Sequence, residues 1–87
     1  MTIERISDTL RAFIKAEFNV PESDAEFTDD VHLFAFGYID SFGAVVLTRF
    51  VEETFSIKVQ QSDLIVHPMN TIREIATFVV RRQAGEI

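Results

Sequence analysis

The first segment of the chain repeats its apolar residues at steps of three and four, with charged residues between them. The apolar positions are Ile3, Ile6, Leu10, Phe13, Ile14 and Phe18. This spacing is typical of a helix that buries one face. Thr2 is positioned to cap the helix, and Glu4 suits the positive end of its first turn. We therefore predict a helix over residues 2–18.

A second helical pattern begins at Ser41, in the segment SFGAVVLTRFVEETF. Because two of the four residues on its outer side are large and apolar, we do not expect that face to be polar throughout. The side predicted to face the core carries Ala44, Leu47, Val51 and Phe55. The outer side carries Phe42, Val46, Arg49 and Glu53.

Two further helices are predicted towards the C-terminus. Ser62 is positioned to cap a short helical piece over residues 63–66, which Pro68 stops. Thr71 and Glu74 form the S/T-x-x-E pattern that begins many helices. Apolar residues then keep helical spacing at Ile72, Ile75, Ala76, Val79 and Val80. The pattern indicates an all-α four-helix bundle with three main helices and one short one.

The segment between the first two helices, residues 19–39, keeps no clear period. Pro21 interrupts it, and its first half is rich in acidic residues. Its second half is apolar enough to be held against a core, through Val31, Leu33, Phe34 and Phe36. We therefore predict a long ordered loop after the first helix, and one domain over residues 1–87.

Composition narrows the possible functions. The chain has 87 residues, 47% of them hydrophobic, and no cysteine, which excludes disulfides, thiolate metal sites and cysteine nucleophiles. Its net charge is -6, so nucleic-acid phosphates would repel it, and we expect no nucleic-acid partner. No apolar run is long enough to span a membrane. Glu4 and Asp8 stand where a signal peptide would be basic and apolar, so we expect a cytoplasmic protein.

The Asp40-Ser41 pair at the start of the second helix is the leading candidate for chemistry. Either residue could cap that helix. Ser41 lacks the G-x-S-x-G context of a hydrolase nucleophile, and His32 and His67 are the only histidines available as a base. These residues therefore do not favour a hydrolase that uses Ser41, which is one alternative. The other alternative is a small helical interaction module in which Ser41 is only a helix cap.

No metal site is predicted. The segment ESDAEF begins like a calcium-binding loop, with oxygen-bearing side chains at alternate positions. Phe27 stands where such a loop needs Gly, however, and Leu33 stands where it needs a bidentate Glu. A solvated acidic loop accounts better for this segment.

The segment LFAFGYIDSFG, residues 33–43, resembles the signature of the acyl and aminoacyl carrier proteins. The predicted order of helices and the long first loop also resemble the four-helix bundle of that family. The resemblance implies that Ser41 is esterified by a 4′-phosphopantetheine arm taken from coenzyme A. It also implies that Asp40 helps the modifying enzyme and its metal, and that Phe42 takes the place of the usual Leu beside the root of the arm.

The same resemblance implies a non-catalytic, stand-alone carrier that holds its cargo as a thioester. Its partners would be a phosphopantetheinyl transferase, a ligase that loads an acyl or aminoacyl group, and acceptor enzymes. The DSFG motif is similar to that of D-alanyl carrier proteins, which favours a dedicated pathway over general fatty-acid synthesis. We expect a monomer.

Two departures from the family pattern bear on partner docking. Carriers often place acidic residues before the Gly of the signature and on the exposed face of the second helix. Here Ala35 and Phe36 stand before the Gly. On the helix, Gly43 stands where carriers often have an acid or a hydroxyl residue, Val46 stands where they often have an acid, and Arg49 adds a positive charge. We therefore expect docking through an apolar patch that includes Phe36, Phe42 and Val46, with Arg49 and Glu53 at its side.

Overall fold

Local capping begins each of the three longer helices in the computed structural model, which describes residues 2–87. Thr2 Oγ1 accepts a hydrogen bond from Arg5 N at 3.3 Å, and Thr71 Oγ1 accepts one from Glu74 N at 3.0 Å. The helices are α1 (Ile3–Glu17), α2 (Ser41–Phe55), α3 (Gln61–Val66) and α4 (Ile72–Gln83). No strand occurs among residues 2–87. The predicted all-α bundle of three main helices and one short one is confirmed.

The apolar faces of the helices meet in one core, in which α1 packs against α4. The largest completely buried side chains come from these two helices and from the first loop: Ile6, Leu10, Ile14, Leu33, Ile72 and Val79. Helix α2 adds Leu47, Val51 and Phe55, as its spacing predicts. Ala44, predicted to share that face, is only half-buried, and Gly43 is buried instead.

The first loop is held in place by both apolar and polar contacts. Val31 and Leu33 are buried as predicted, whereas Phe36, predicted to help hold the loop, is exposed. Leu33 N donates to Asn70 O at 2.9 Å, which joins the loop to the residues before α4. Two ion pairs, Arg11 with Asp29 and Arg73 with Asp30, add links to α1 and α4. These contacts fix the chain that leads into α2.

The start of α3 differs from the prediction. The helix begins at Gln61, with Gln60 in the N-cap position, so Ser62 lies inside the helix and does not cap it. The Asp63 carboxylate accepts a hydrogen bond from Gln60 N at 2.9 Å and so satisfies the first free N–H of the helix. Because Asp63 is also paired with Arg82 on α4, a contact distant in sequence selects this register.

Candidate functional site

Ser41 is the first residue of α2, and its side chain is exposed. Asp40 occupies the N-cap position, and its Oδ1 accepts a hydrogen bond from Gly43 N at 2.7 Å. No side chain or backbone group within residues 2–87 forms a hydrogen bond with the Ser41 hydroxyl. The capping role left open between these two residues therefore belongs to Asp40. The Ser41 hydroxyl is left facing solvent.

A tight turn delivers the chain to this helix start. Gly37 adopts a φ of 78°, a backbone conformation that glycine adopts at little steric cost. Gly37 N donates to Phe34 O, and Ile39 N donates to Leu33 O, each at 3.1 Å. Since Leu33 and Ile39 are both buried, the turn is anchored on either side. The backbone at Asp40 is thereby fixed relative to the core.

Tyr38 secures the same turn from the other side of the loop. Its hydroxyl donates to Asp24 Oδ2 at 2.9 Å, and its ring packs edge-on against Phe27 with centroids 5.1 Å apart. Desolvation, followed by the bond to Asp24, raises the pKa of the Tyr38 phenol above its usual value. Tyr38 therefore stays protonated and keeps this hydrogen bond at neutral pH.

Ser41 lies at the positively polarised N-terminus of α2. The first turn of α2 contains no acidic side chain, and Asp40 is the anionic group that caps it. The N–H groups at the start of a helix and the helix dipole together favour a negatively charged group placed there. A phosphate ester on the Ser41 oxygen would lie in this favourable field.

Three large apolar side chains within five residues of Ser41 in the sequence are exposed. Phe42 is 77% exposed, Val45 66% and Phe36 64%. Of the remaining residues predicted for docking, Val46 is half-buried, whereas Arg49 and Glu53 are exposed.

The predicted docking residues do not all lie close to Ser41. Glu53 lies twelve residues beyond Ser41 on α2, about 18 Å along the helix axis. Val45 is the residue that the sequence-based prediction missed. The available signal was its position three residues after Phe42, because both the third and the fourth residue along a helix can share a face.

Gly43 does not belong to this exposed surface. It was counted among the positions where carriers often place an acid or a hydroxyl residue, but its position is buried. A β-carbon there would lie 2.7 Å from Phe18 Cε1 and 2.9 Å from Ile39 Cγ2. The absence of an acid at position 43 therefore reflects packing inside the bundle and not the chemistry of the docking surface.

A cavity of about 200 Å³ lies beneath α2, on the side that faces α3. Ala44, three residues after Ser41, contributes to its wall. The other lining side chains are mainly apolar, and they include Leu47, Val51, Val59 and Leu64. The cavity thus suits an apolar group better than a charged one.

The two histidines are occupied in other contacts. His32 Nδ1 accepts a hydrogen bond from Ala35 N at 3.0 Å, and the His67 ring lies against Phe78 with centroids 5.5 Å apart. Within the described part of the chain, no three or more His, Cys, Asp or Glu side chains are arranged to bind a metal. No helix in residues 2–87 is long and apolar enough to cross a membrane.

Comparison with known proteins agrees with the geometry. The sequence model of a family described as "Phosphopantetheine attachment site" matches residues 8–79, which include the whole of α2 and the loop before it. No curated protein matches the chain significantly. The resemblance of the DSFG motif to D-alanyl carrier proteins stays a prediction. Because the match covers most of the 87 residues, the chain belongs to the phosphopantetheine-binding carrier family, whose domains carry 4′-phosphopantetheine covalently and are generally non-catalytic.

Proposed function

We propose that this protein is a stand-alone acyl or aminoacyl carrier whose 4′-phosphopantetheine arm is attached to Ser41. The observation that carries the proposal is the free, exposed hydroxyl of Ser41 at the start of α2, inside the segment that matches the family. When bound, the arm supplies a terminal thiol that holds the cargo as a thioester. The chain has no cysteine that could do so itself.

The residues around Ser41 fit this group. Asp40 takes the capping bond to Gly43 N, so the Ser41 oxygen can be esterified without loss of the helix cap. The first turn of α2 has no acidic side chain to repel a phosphate diester. Asp40 has a second proposed role, implied by the family resemblance, in helping the modifying enzyme and its metal. Phe42, exposed beside Ser41, would flank the root of the arm.

Partner enzymes would dock on the surface beside the arm. We place Phe36, Phe42 and Val46 in this docking surface, with Arg49 and Glu53 along α2, and the exposure of Val45 adds it to the set. Charge complementarity mainly sets the rate of encounter and the choice of partner. A carrier with this apolar surface would therefore select partners whose docking sites are also apolar.

The partners of such a carrier follow from its chemistry. A phosphopantetheinyl transferase would attach the arm, a ligase would load the acyl or aminoacyl group, and acceptor enzymes would remove it. Catalysis belongs to these enzymes in our proposal, and the carrier works as a cytoplasmic monomer with one domain over residues 1–87. The DSFG motif favours a pathway-dedicated carrier, as in D-alanyl transfer or specialised-metabolite biosynthesis.

The attachment residue can be tested by peptide mapping. The protein is incubated with coenzyme A, magnesium and a broad-specificity phosphopantetheinyl transferase, and then digested with trypsin. One tryptic peptide, residues 16–49, contains both Ser23 and Ser41, so fragmentation must distinguish the two. We expect the added mass on Ser41. Modification of Ser23, or of any other residue, would refute the assignment.

A functional test separates the carrier from the interaction module. Purified protein from the native host should carry a group that neutral hydroxylamine releases, because hydroxylamine cleaves thioesters readily. The Ser41→Ala variant should carry none and should fail to support the pathway. A Ser41→Ala variant with full function in cells would favour the interaction module.

A further inference from the structure

The backbone of α2 makes an unusually close contact at Gly43, within the first turn of the helix. A β-carbon at this position would lie 2.7 Å from Phe18 Cε1, 2.9 Å from Ile39 Cγ2 and 3.2 Å from Asp40 Oδ1. The first two distances are shorter than non-bonded carbon atoms can approach without displacement. Any side chain at position 43 must therefore move its neighbours or the helix start.

One of these neighbours, Phe18, ends α1 as its C-cap residue. Its ring packs edge-on against Phe13, with centroids 6.3 Å apart. Phe13 in turn stacks on Phe50 of α2, with centroids 3.8 Å apart. The end of α1 is thus joined to α2 at two levels, through Phe50 in the middle of the helix and through Gly43 at its start.

The other two neighbours leave little room for adjustment. Ile39 is only 2% exposed, and its Cγ2 atom is bonded directly to Cβ, so it cannot swing away as the end of a long side chain could. Asp40 Oδ1 already accepts the hydrogen bond from Gly43 N. A methyl group at position 43 would therefore push on the same carboxylate that caps the helix.

We infer that Gly43 is a positioning residue for Ser41. Its missing side chain lets Phe18 and Ile39 pack directly on the backbone of α2, and this packing holds the Asp40 cap and the helix start in register. Ser41 lies in the same turn, so the backbone that carries its side chain is held in place. The inference rests on the proposed function, because it assigns Gly43 a part in presenting the proposed attachment residue.

The Gly43→Ala substitution is a sharp test because the helix preference of alanine and the packing around position 43 predict opposite effects on the start of α2. Alanine is the better helix former, so an unhindered substitution would stabilise α2. Packing predicts that the added methyl displaces the first turn. Removal of the obstructing ring atom by Phe18→Leu should then relieve part of the effect, which a general loss of stability would not explain.

We would measure initial rates of arm attachment over a range of carrier concentrations, with circular dichroism to verify folding at the assay temperature. We expect Gly43→Ala to lower kcat by about tenfold, with KM changed by less than about twofold. The double variant Phe18→Leu/Gly43→Ala should recover part of the loss in kcat, because the contact with Ile39 remains. It also provides the test if Gly43→Ala alone folds poorly. Thr54→Ala, at the exposed far end of α2, is the matched control and should be unchanged.

A second readout tests the geometry without any enzyme. Hydrogen exchange of the residue 43 amide, measured by NMR in the unmodified protein, reports the bond to Asp40. We expect faster exchange in Gly43→Ala than in the parent and Thr54→Ala. Unchanged exchange together with an unchanged kcat would overturn the inference. If neither a broad-specificity nor a cognate transferase modified the parent, the proposed function would fail, and the amide exchange alone would decide whether Gly43 holds the helix start.

Discussion

Arg82 of α4 holds Asp63 of α3, with Nη2 and Oδ1 2.7 Å apart. Asp63 is the buried residue of α3, whereas Leu64, Ile65 and Val66 are all exposed. The short helix is therefore attached to the bundle through a charged residue more than through apolar side chains. Arg82 strengthens the attachment by a second bond, from Nη1 to the backbone oxygen of Lys58 at 3.2 Å.

Loss of this ion pair should release α3. We expect Arg82→Leu to lower the thermal midpoint by about 5 °C or more and to increase hydrogen exchange within α3. Arg81→Gln is the control, since Arg81 pairs with Glu86 at the surface with a separation of 3.5 Å. Surface pairs of this kind contribute little. Equal effects of the two substitutions would show that the Asp63 contact does not anchor α3.

The same pair should make stability depend on pH. The hydrogen bond from Gln60 N, and after it the Arg82 guanidinium, hold the pKa of Asp63 below its usual value despite its desolvation. The folded state thus favours the ionised carboxylate, and its contribution is present above the pKa of the unfolded chain, 3.8. It is lost as the pH falls through the lower folded pKa.

Urea unfolding between pH 7 and pH 3 measures this contribution. We expect the free energy of unfolding of the parent to fall steeply at the acid end of that range, and that of Asp63→Asn to start lower and fall less. If the free energy of unfolding of Asp63→Asn fell with pH as steeply as that of the parent, the acid sensitivity would belong to other carboxylates.

Two substitutions of Asp40 separate the capping role from the proposed role in modification. Asn keeps a side-chain oxygen that can accept the bond from Gly43 N, whereas Ala does not. We expect Asp40→Ala to lower the free energy of unfolding by about 1 kcal/mol, and Asp40→Asn to leave it nearly unchanged. If the charge also serves the modifying enzyme, both variants should be modified slowly. A normal rate for Asp40→Asn would restrict Asp40 to capping.

A charge introduced at the exposed apolar residues of the docking surface should weaken the binding of the loading ligase. Val45→Asp changes a side chain that is 66% exposed, so we expect the fold to persist and the KM of the loading ligase to rise several-fold. Val46→Asp should weaken loading as well, and because Val46 is half-buried it should also cost stability. Thr54→Asp, at the far end of α2, is the control. Normal loading of Val45→Asp and Val46→Asp by the cognate ligase would contradict docking through an apolar surface.

The features predicted correctly from the sequence are those that depend on local interactions. The caps at Thr2 and Thr71 bond to residues three positions along the chain, and apolar residues at helical spacing identify the buried faces. The Asp40-Ser41 motif likewise lies in one short segment. The sequence alone, however, left open which of these two residues caps α2.

The features that were missed depend on contacts between distant segments. Ala44 was expected in the core, but the end of α1 packs against Gly43, and no periodic pattern carries that information. Ser62 was expected to cap α3, but Arg82, nineteen residues after Asp63, selects a different start. Val45 and Val46 carry identical side chains. The spacing of Val45 from Phe42 allows a shared face, but the packing of the bundle decides which of the two valines is the more exposed.

The most direct test of the central claim is the intact mass of the protein after incubation with coenzyme A, magnesium and a phosphopantetheinyl transferase. The parent should gain one phosphopantetheine group, and Ser41→Ala should gain none. An unmodified parent with both a broad-specificity and a cognate transferase, or a Ser41→Ala variant that still gains the group, would contradict the assignment of Ser41 as the attachment residue.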